Sequence, residues 1–494
     1  MWLKIKNLLF ANRSVRQTVA KNTFWLGVSN IGGRLLRAIV IIYAARVLGA
    51  SEWGVFSYAV SLTAFLTIFT DIGVSPVMTR EIAKLRGEPE NQRRILSTAF
   101  FIKTVLLLLG LGVIFFATPY FMPNEKVKAI LPLIAFIFAF DSIRDFGFSL
   151  VRSMEKMEWE AALYLLTNLA IVVFGFIFLA SSSTVISFTA AYTAGAGIGM
   201  LATVYALRHH LRGVFSGFSR KLVPYILGSG WPFTLSAILG ILMIDMDVLI
   251  IGWLRSAEEV GLYSAAQRIV QLLYILPSIL ATSLLPTFSR LAGRDEKKFK
   301  FGFEGALWAA YSLAIPISIG GVLLGGEMIE LVFGPGFAGA ALPFRILMLT
   351  LLISFPAVIL TGVIFTHNKQ RQLAVYAAIG GISNIVLDLL VIPRYGIGGA
   401  AVVTLFAQIL SNLYLWRVVR SIVKPDIVSR LKRVFVAAAV MGAAVFVFDR
   451  FDMNVILAVI LGGAIYLGAL LLLKEPVVQE IKLIFAAKDG SGEA

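Results

Sequence analysis

The feature that most constrains this chain is a succession of apolar runs, separated by short gaps that hold most of its Lys and Arg residues. A helix of about 20 apolar residues crosses the roughly 30 Å hydrocarbon core of a bilayer. In lipid the backbone must satisfy its own hydrogen bonds, so repeated runs of this kind predict a bundle of helices. Composition agrees, with 59% hydrophobic and 15% charged residues over 494 positions, against about 45–50% and about 25% in an ordinary soluble domain. A soluble globular chain, a disordered chain and a charged coiled coil are all excluded. Cys is absent, so there is no disulfide framework, thiol nucleophile or Cys-bound metal, and 3 His residues leave little for a His-metal site.

The runs predict an all-α polytopic protein of about fourteen spans. Its segments are a basic amphipathic N-terminus (1–21), a first lobe of six spans (22–207), a linker (208–221) and a second lobe of six spans (222–416). A second linker (417–433), two further spans (434–473) and a tail (474–494) complete it. With both termini placed in the cytoplasm, the inside segments carry 32 of the 44 Lys and Arg residues and the outside loops carry 6. This asymmetry is what the positive-inside rule requires, and it makes nucleic-acid binding an unneeded explanation of the net charge of +16. Trp2, Leu3, Ile5, Leu8, Leu9 and Phe10 alternate with basic residues. They read either as an interfacial helix or as a basic tail that serves topology alone. The same stretch, broken by Lys4 and Lys6, does not look like a cleavable signal.

The second half echoes the first. Residues 50–59 align with 257–266, matching Glu52 to Glu259 and Gly54 to Gly261. Pro76 to Arg80 then align with Pro286 to Arg290, Ala129 to Pro132 with Ala340 to Pro343, and Asn168 falls near Asn384. Four matches in one order predict two parallel copies of a six-helix unit, an architecture that transporters use to hold substrate between lobes.

Ionisable residues within spans are costly in lipid and mark candidate sites. Asn30, Arg34 and Arg37 fall on one broad face of the first span. They read either as an anion-binding stripe or as partners of an acidic residue on another span. Asp141, Arg144 and Asp145 are spaced to neutralise one another in part. Asp245 and Asp247 lie too far apart around a helix to share a cavity. Asp247 continues the small polar face of Ser236 and Gly240, and either aspartate is a candidate for coupling to H⁺ or Na⁺. Arg268 beside Gln271 suits a sugar or a phosphate, and Asn384 with Asp388 lines a cavity or joins two helices. Lys103 and Arg345 lie near span ends, where snorkelling accounts for them. No nucleotide-binding glycine loop, metalloprotease motif or nucleophile elbow is present, and the outside loops are too short to carry an acid/base pair.

The run from Asn22 to Lys84, with Leu48-Gly49-Ala50-Ser51-Glu52-Trp53-Gly54, Asp71-Ile72-Gly73 and Thr79-Arg80-Glu81, resembles the opening of Wzx-type polysaccharide and O-antigen flippases. These belong to the multidrug/oligosaccharidyl-lipid/polysaccharide exporter superfamily. Phe333 to Ala341 is similar to the same family. The resemblance implies two lobes in a V, alternating access, and movement of an undecaprenyl-diphosphate-linked oligosaccharide from the cytoplasmic to the outer leaflet. It implies a non-enzymatic transporter of a bacterial or archaeal cytoplasmic membrane. Such a protein acts as a monomer among membrane lipids, in contact with polysaccharide polymerase machinery and without a bound cofactor. The alternatives within the superfamily are a lipid II flippase and an ion-coupled multidrug antiporter. Outside it stands an integral-membrane glycan polymerase or ligase. The energy source is a membrane potential or a gradient of H⁺ or Na⁺.

Overall fold

The computed structural model describes residues 15–85, 87–118 and 125–474, so the expected interfacial segment Trp2 to Phe10 and the tail beyond 474 lie outside the described residues. Among the described residues the regular structure is entirely helical. In chain order the helices are α1 (Val15–Asp71), α2 (Val74–Lys84), α3 (Pro89–Gly112), α4 (Glu125–Ser153), α5 (Met157–Ser181) and α6 (Val185–Leu207). After the linker come α7 (Leu222–Ile244), α8 (Met246–Leu254), α9 (Ala257–Leu273), α10 (Ile275–Leu291), α11 (Glu296–Leu323) and α12 (Gly325–Phe333). The remainder are α13 (Ala341–Leu349), α14 (Leu351–Thr366), α15 (Gln370–Arg420), α16 (Val428–Arg450) and α17 (Val455–Leu472).

Two of these helices are far longer than a membrane is thick. At 1.5 Å per residue, the 51 residues of α15 would stretch about 76 Å if straight. Instead Gly396 adopts φ 57°, ψ −147°, and the Tyr414 hydroxyl donates to Gln372 Oε1 across 42 positions of sequence. The chain therefore turns back at Gly396, and α15 is a pair of antiparallel helices. Gly49 interrupts α1 in the same way at φ 74°, ψ 170°. Side chains are disfavoured at such positive φ, so these turns depend on glycine.

Among the described residues, ten helices are long and apolar enough to cross a membrane, or eleven when the bent pair of α1 and α2 counts as a span. The expected fourteen is larger. The tally takes α15 whole and α1 with α2 as one, and α4 carries Asp141, Arg144 and Asp145 within its apolar length. The protein is a multi-pass membrane protein.

The chain forms two compact units, one ending at Ser264 and the other beginning at Ala265. In the first, Val74, Val77 and Met78 of α2 pack against Ile95, Ala99 and Ile102 of α3, Phe146 and Leu150 of α4, and Ile226 of α7. The packing of α7 on these helices explains why this unit extends past the 208–221 linker. Within the same unit the sequence repeat has a physical counterpart. Ser264 donates to Ser57, its match at an offset of 207. A Cβ on Gly54 would lie 1.7 Å from the Ala257 carbonyl oxygen, and one on Gly261 would lie 1.8 Å from that of Ala50. Each residue meets the counterpart of its own neighbour, the reciprocity of a local two-fold contact.

In the second unit, Trp308 and Ile315 of α11 pack on Val434, Ala437 and Met441 of α16, together with Ala458 and Leu470 of α17. The Tyr466 hydroxyl donates to the Ser312 carbonyl at 2.8 Å and so satisfies a polar tip that would otherwise be buried alone. The two C-terminal helices are thereby fixed to this unit.

Candidate functional site

The first unit holds an open cavity of about 880 Å³ lined by α1, α2, α3, α4, α5 and, through Phe233, α7. Its ionisable lining consists of the cations Arg37, Arg80, Lys103, Arg144 and Arg152 and the carboxylates Asp71, Asp141, Asp145 and Glu160. The cavity is thus of mixed charge. The reason lies in desolvation: a buried ion costs several kcal/mol unless it is paired and hydrogen-bonded.

Most of the cations have partners. Arg144, almost fully buried in α4, places Nη1 2.6 Å from Asp141 Oδ1 and Nη2 3.1 Å from Asp145 Oδ1, as their spacing predicts. Its guanidinium also lies 5.6 Å from the Phe148 ring centre. Arg152 meets Glu160 of α5 at 2.5 Å, and Arg80 meets Glu81 at 2.7 Å. Lys103 does not snorkel. It is buried, and its Nζ lies 2.8 Å from Asp71 Oδ1 where α1 breaks at Ile72 and Gly73. The Ser75 hydroxyl donates to the same carboxylate.

Arg37 is the exception. Among the described residues it is the cavity cation that makes no ion pair. Its Nε donates to Asn168 Oδ1 on α5 at 3.2 Å, and the Asn168 amide is itself held by its Nδ2 bond to the Tyr164 carbonyl at 2.8 Å. An amide oxygen orients the guanidinium without neutralising it, leaving its two terminal nitrogens for another acceptor. Asn30 also lines the cavity, although its Nδ2 is engaged by the Leu26 carbonyl. Arg34 does not line it and stays exposed on α1. The predicted triad of Asn30, Arg34 and Arg37 is therefore resolved into two cavity residues and one that stands outside.

The paired aspartates of the seventh predicted span also separate. Asp245 sits at the break between α7 and α8, while Asp247 is buried in α8 and accepts from the Tyr263 hydroxyl. The face shared by Ser236, Gly240 and Asp247 presumes a straight helix, and the break removes it. The remaining candidates belong to the second unit and do not line this cavity. Arg268 donates to Gln271 Oε1 at 3.3 Å, and Asn384 and Asp388 are buried one turn apart in α15. The sequence reading missed the Lys103–Asp71 pair, Arg80 and Arg152 as cavity residues. Asp71 and Arg80 stood in quoted motifs, but nothing local ties Lys103 to a residue 32 positions earlier.

A family model described as polysaccharide biosynthesis protein matches residues 19–292, and one described as MatE matches residues 232–390. The chain is similar to a putative O-antigen transporter of Shigella flexneri, 22% identical over 411 residues that make up 81% of this chain and 97% of the relative. It is 23% identical to a probable low-salt glycan biosynthesis flippase of Haloferax volcanii over 393 residues, 78% of this chain and 80% of that one. Among solved structures, a lipid II flippase in an inward closed conformation shares its fold with a TM-score of 0.77 at 17% identity, covering 91% of this chain and 99% of the other. With more than half of its length matched by that model, the chain belongs to the polysaccharide biosynthesis protein family.

Proposed function

We propose that this protein carries a lipid-linked oligosaccharide from the cytoplasmic to the outer leaflet of the cytoplasmic membrane, by alternating access of its cavity to the two sides. The observation that carries the reading is Arg37, a cavity cation that makes no ion pair among the described residues and is held by an amide oxygen through its Nε alone. A diphosphate head accepts from its terminal nitrogens, and the planar guanidinium fork bonds two phosphate oxygens at once. The names of the relatives, an O-antigen transporter and a glycan biosynthesis flippase, support the same substrate class. The reading includes fourteen passes, both termini in the cytoplasm, a monomer, and contact with polysaccharide polymerase machinery. It makes the protein a transporter rather than an enzyme.

Two negative charges leaving a negative-inside cell gain about 4–5 kcal/mol at 100 mV, which drives export without a bound cofactor. Asp247, buried against Tyr263, favours a second version in which it carries H⁺ or Na⁺. Collapse of the potential alone stops the first version and spares the second.

The test is leaflet-specific translocation of defined lipid-linked glycans in proteoliposomes. Arg37→Ala abolishes transport while insertion persists, and Arg37→Lys slows it about tenfold by replacing a two-pronged contact with a point charge. Full-rate flipping by Arg37→Ala would sink the proposal.

A further inference from the structure

The second unit contains a pocket that the translocation reading does not use. It has a volume of about 630 Å³ and lies where the two ends of α15 come together, beside the loop that precedes α15. Lys369, Arg371 and Arg417 line it, with Asn368, Gln372 and Tyr414 as polar walls and no carboxylate among the lining residues. None of the three cations takes part in an ion pair among the described residues, and all three are exposed. The Tyr414 hydroxyl donates to Gln372 Oε1 and ties one wall to the other. The pocket is thus a braced concavity with three positive charges and no internal counter-charge.

The flanks of the pocket indicate what kind of anion fits. In the first arm of α15, Arg371, Val375, Ile382 and Val386 follow one another at spacings of four, seven and four, so they form one stripe along the helix. Val375, Ile382 and Val386 are all exposed, at 42%, 56% and 50%. In the second arm, Arg417 heads an equivalent stripe through Leu413, Leu410 and Phe406, again exposed. Each arginine therefore stands at the end of an apolar strip that only hydrocarbon would cover in a membrane protein. A free anion would use the cations and ignore the strips. A molecule with a phosphate head and acyl chains uses both. We propose that this pocket holds the phosphate head group of an anionic membrane phospholipid, with its chains along the exposed stripes of α15. The head group sits on the side that the Lys and Arg distribution assigns to the cytoplasm, where anionic lipid attracts basic residues.

The experiment measures lipid retained by the full-length purified protein, using native mass spectrometry from mixed micelles. The probes are phosphatidylglycerol, phosphatidylcholine and inorganic phosphate. The wild type is expected to retain phosphatidylglycerol over phosphatidylcholine. Arg371→Gln and Arg417→Gln should each lower that preference about fivefold, and the double variant by their product. Both residues are exposed, and unchanged gel-filtration behaviour verifies that the variants are folded. Equal retention of the two lipids by the wild type overturns the proposal, as does an undiminished preference in the double variant. Displacement of phosphatidylglycerol by millimolar inorganic phosphate also overturns it, because the site would then recognise the free anion without the chains.

Discussion

The cavity of the first unit and the pocket of the second are both lined with basic residues, yet they treat charge in opposite ways. In the cavity, Lys103 and Arg144 are nearly excluded from solvent, and each has a carboxylate within 3 Å. In the pocket, Lys369, Arg371 and Arg417 are exposed and have none among the described residues. Desolvation explains the contrast. A buried ion loses several kcal/mol of hydration and needs a fixed partner, whereas an exposed one keeps its water and its field. Basic residues in a membrane protein therefore have two meanings, and burial decides between them. Arg37 stands between the two cases: half-buried, oriented by an amide and not neutralised.

The largest effect follows from breaking a buried pair. Asp71→Asn strands the Lys103 ammonium, whose side chain is 6% exposed. Loss of one partner of such a pair costs about 3–5 kcal/mol. Thermal unfolding in detergent should show a large drop, and the double replacement Asp71→Leu with Lys103→Met should recover most of it. A single variant as stable as the wild type would show that the cavity charges do not depend on one another.

Arg37 and Arg144 should separate stability from transport. Arg37→Ala removes one hydrogen bond from a charged guanidinium to the Asn168 amide, worth about 1.5–3 kcal/mol and less than a buried ion pair. Arg144→Ala strands Asp141 and Asp145 together. Melting temperature and flipping rate, measured on the same preparations, should fall together for Arg144→Ala. For Arg37→Ala the flipping rate alone should collapse. A large loss of stability in Arg37→Ala would make that residue structural.

How much of this was legible in the sequence follows from the range over which each feature acts. Helices and their apolar lengths are local properties, so the runs revealed them. The ion pairs of Arg144 span one helical turn and were legible for the same reason. The Lys103–Asp71 pair is not, because its members sit on different helices and no spacing rule joins them. Arg34 and Arg37 differ by about 60° around α1, too little for a helical wheel to tell which one reaches the cavity. Asn168 decides that point, and the sequence marked it solely as half of a repeat. The break at Asp245 was illegible, and it dissolved a polar face that assumed a straight helix.

Salt should sharpen the comparison with a smaller effect. Raising NaCl from about 0.1 M to 1 M shortens the Debye length from about 10 Å to about 3 Å. Retention of phosphatidylglycerol at the exposed pocket should weaken across that range. The stability difference between the wild type and Asp71→Asn should move much less, because the Lys103 side chain is only 6% exposed. Equal salt sensitivity of the two measurements would mean that burial is not what distinguishes the sites.

The smallest effect concerns a third arrangement, a titratable cation in the field of other cations. His210 lies in the basic loop between α6 and α7. Partial burial holds its imidazole below the ordinary histidine value, and the neighbouring Lys156 and His209 push in the same direction. The unfolded chain keeps the ordinary value near 6.5. Below that pH the unfolded state binds the proton more readily than the folded state does. Stability should therefore decline as pH falls through about 6.5 and level off once the folded imidazole is also charged. The loop is solvent-accessible, so screening keeps the slope shallow. Melting temperatures from pH 8 to pH 5 should show this decline in the wild type, and His210→Asn should flatten it. Lys156→Ala should move His210 back towards its ordinary value and reduce the slope without removing it. An unchanged profile in His210→Asn would assign the slope to other groups and leave the loop cations without a measurable mutual field.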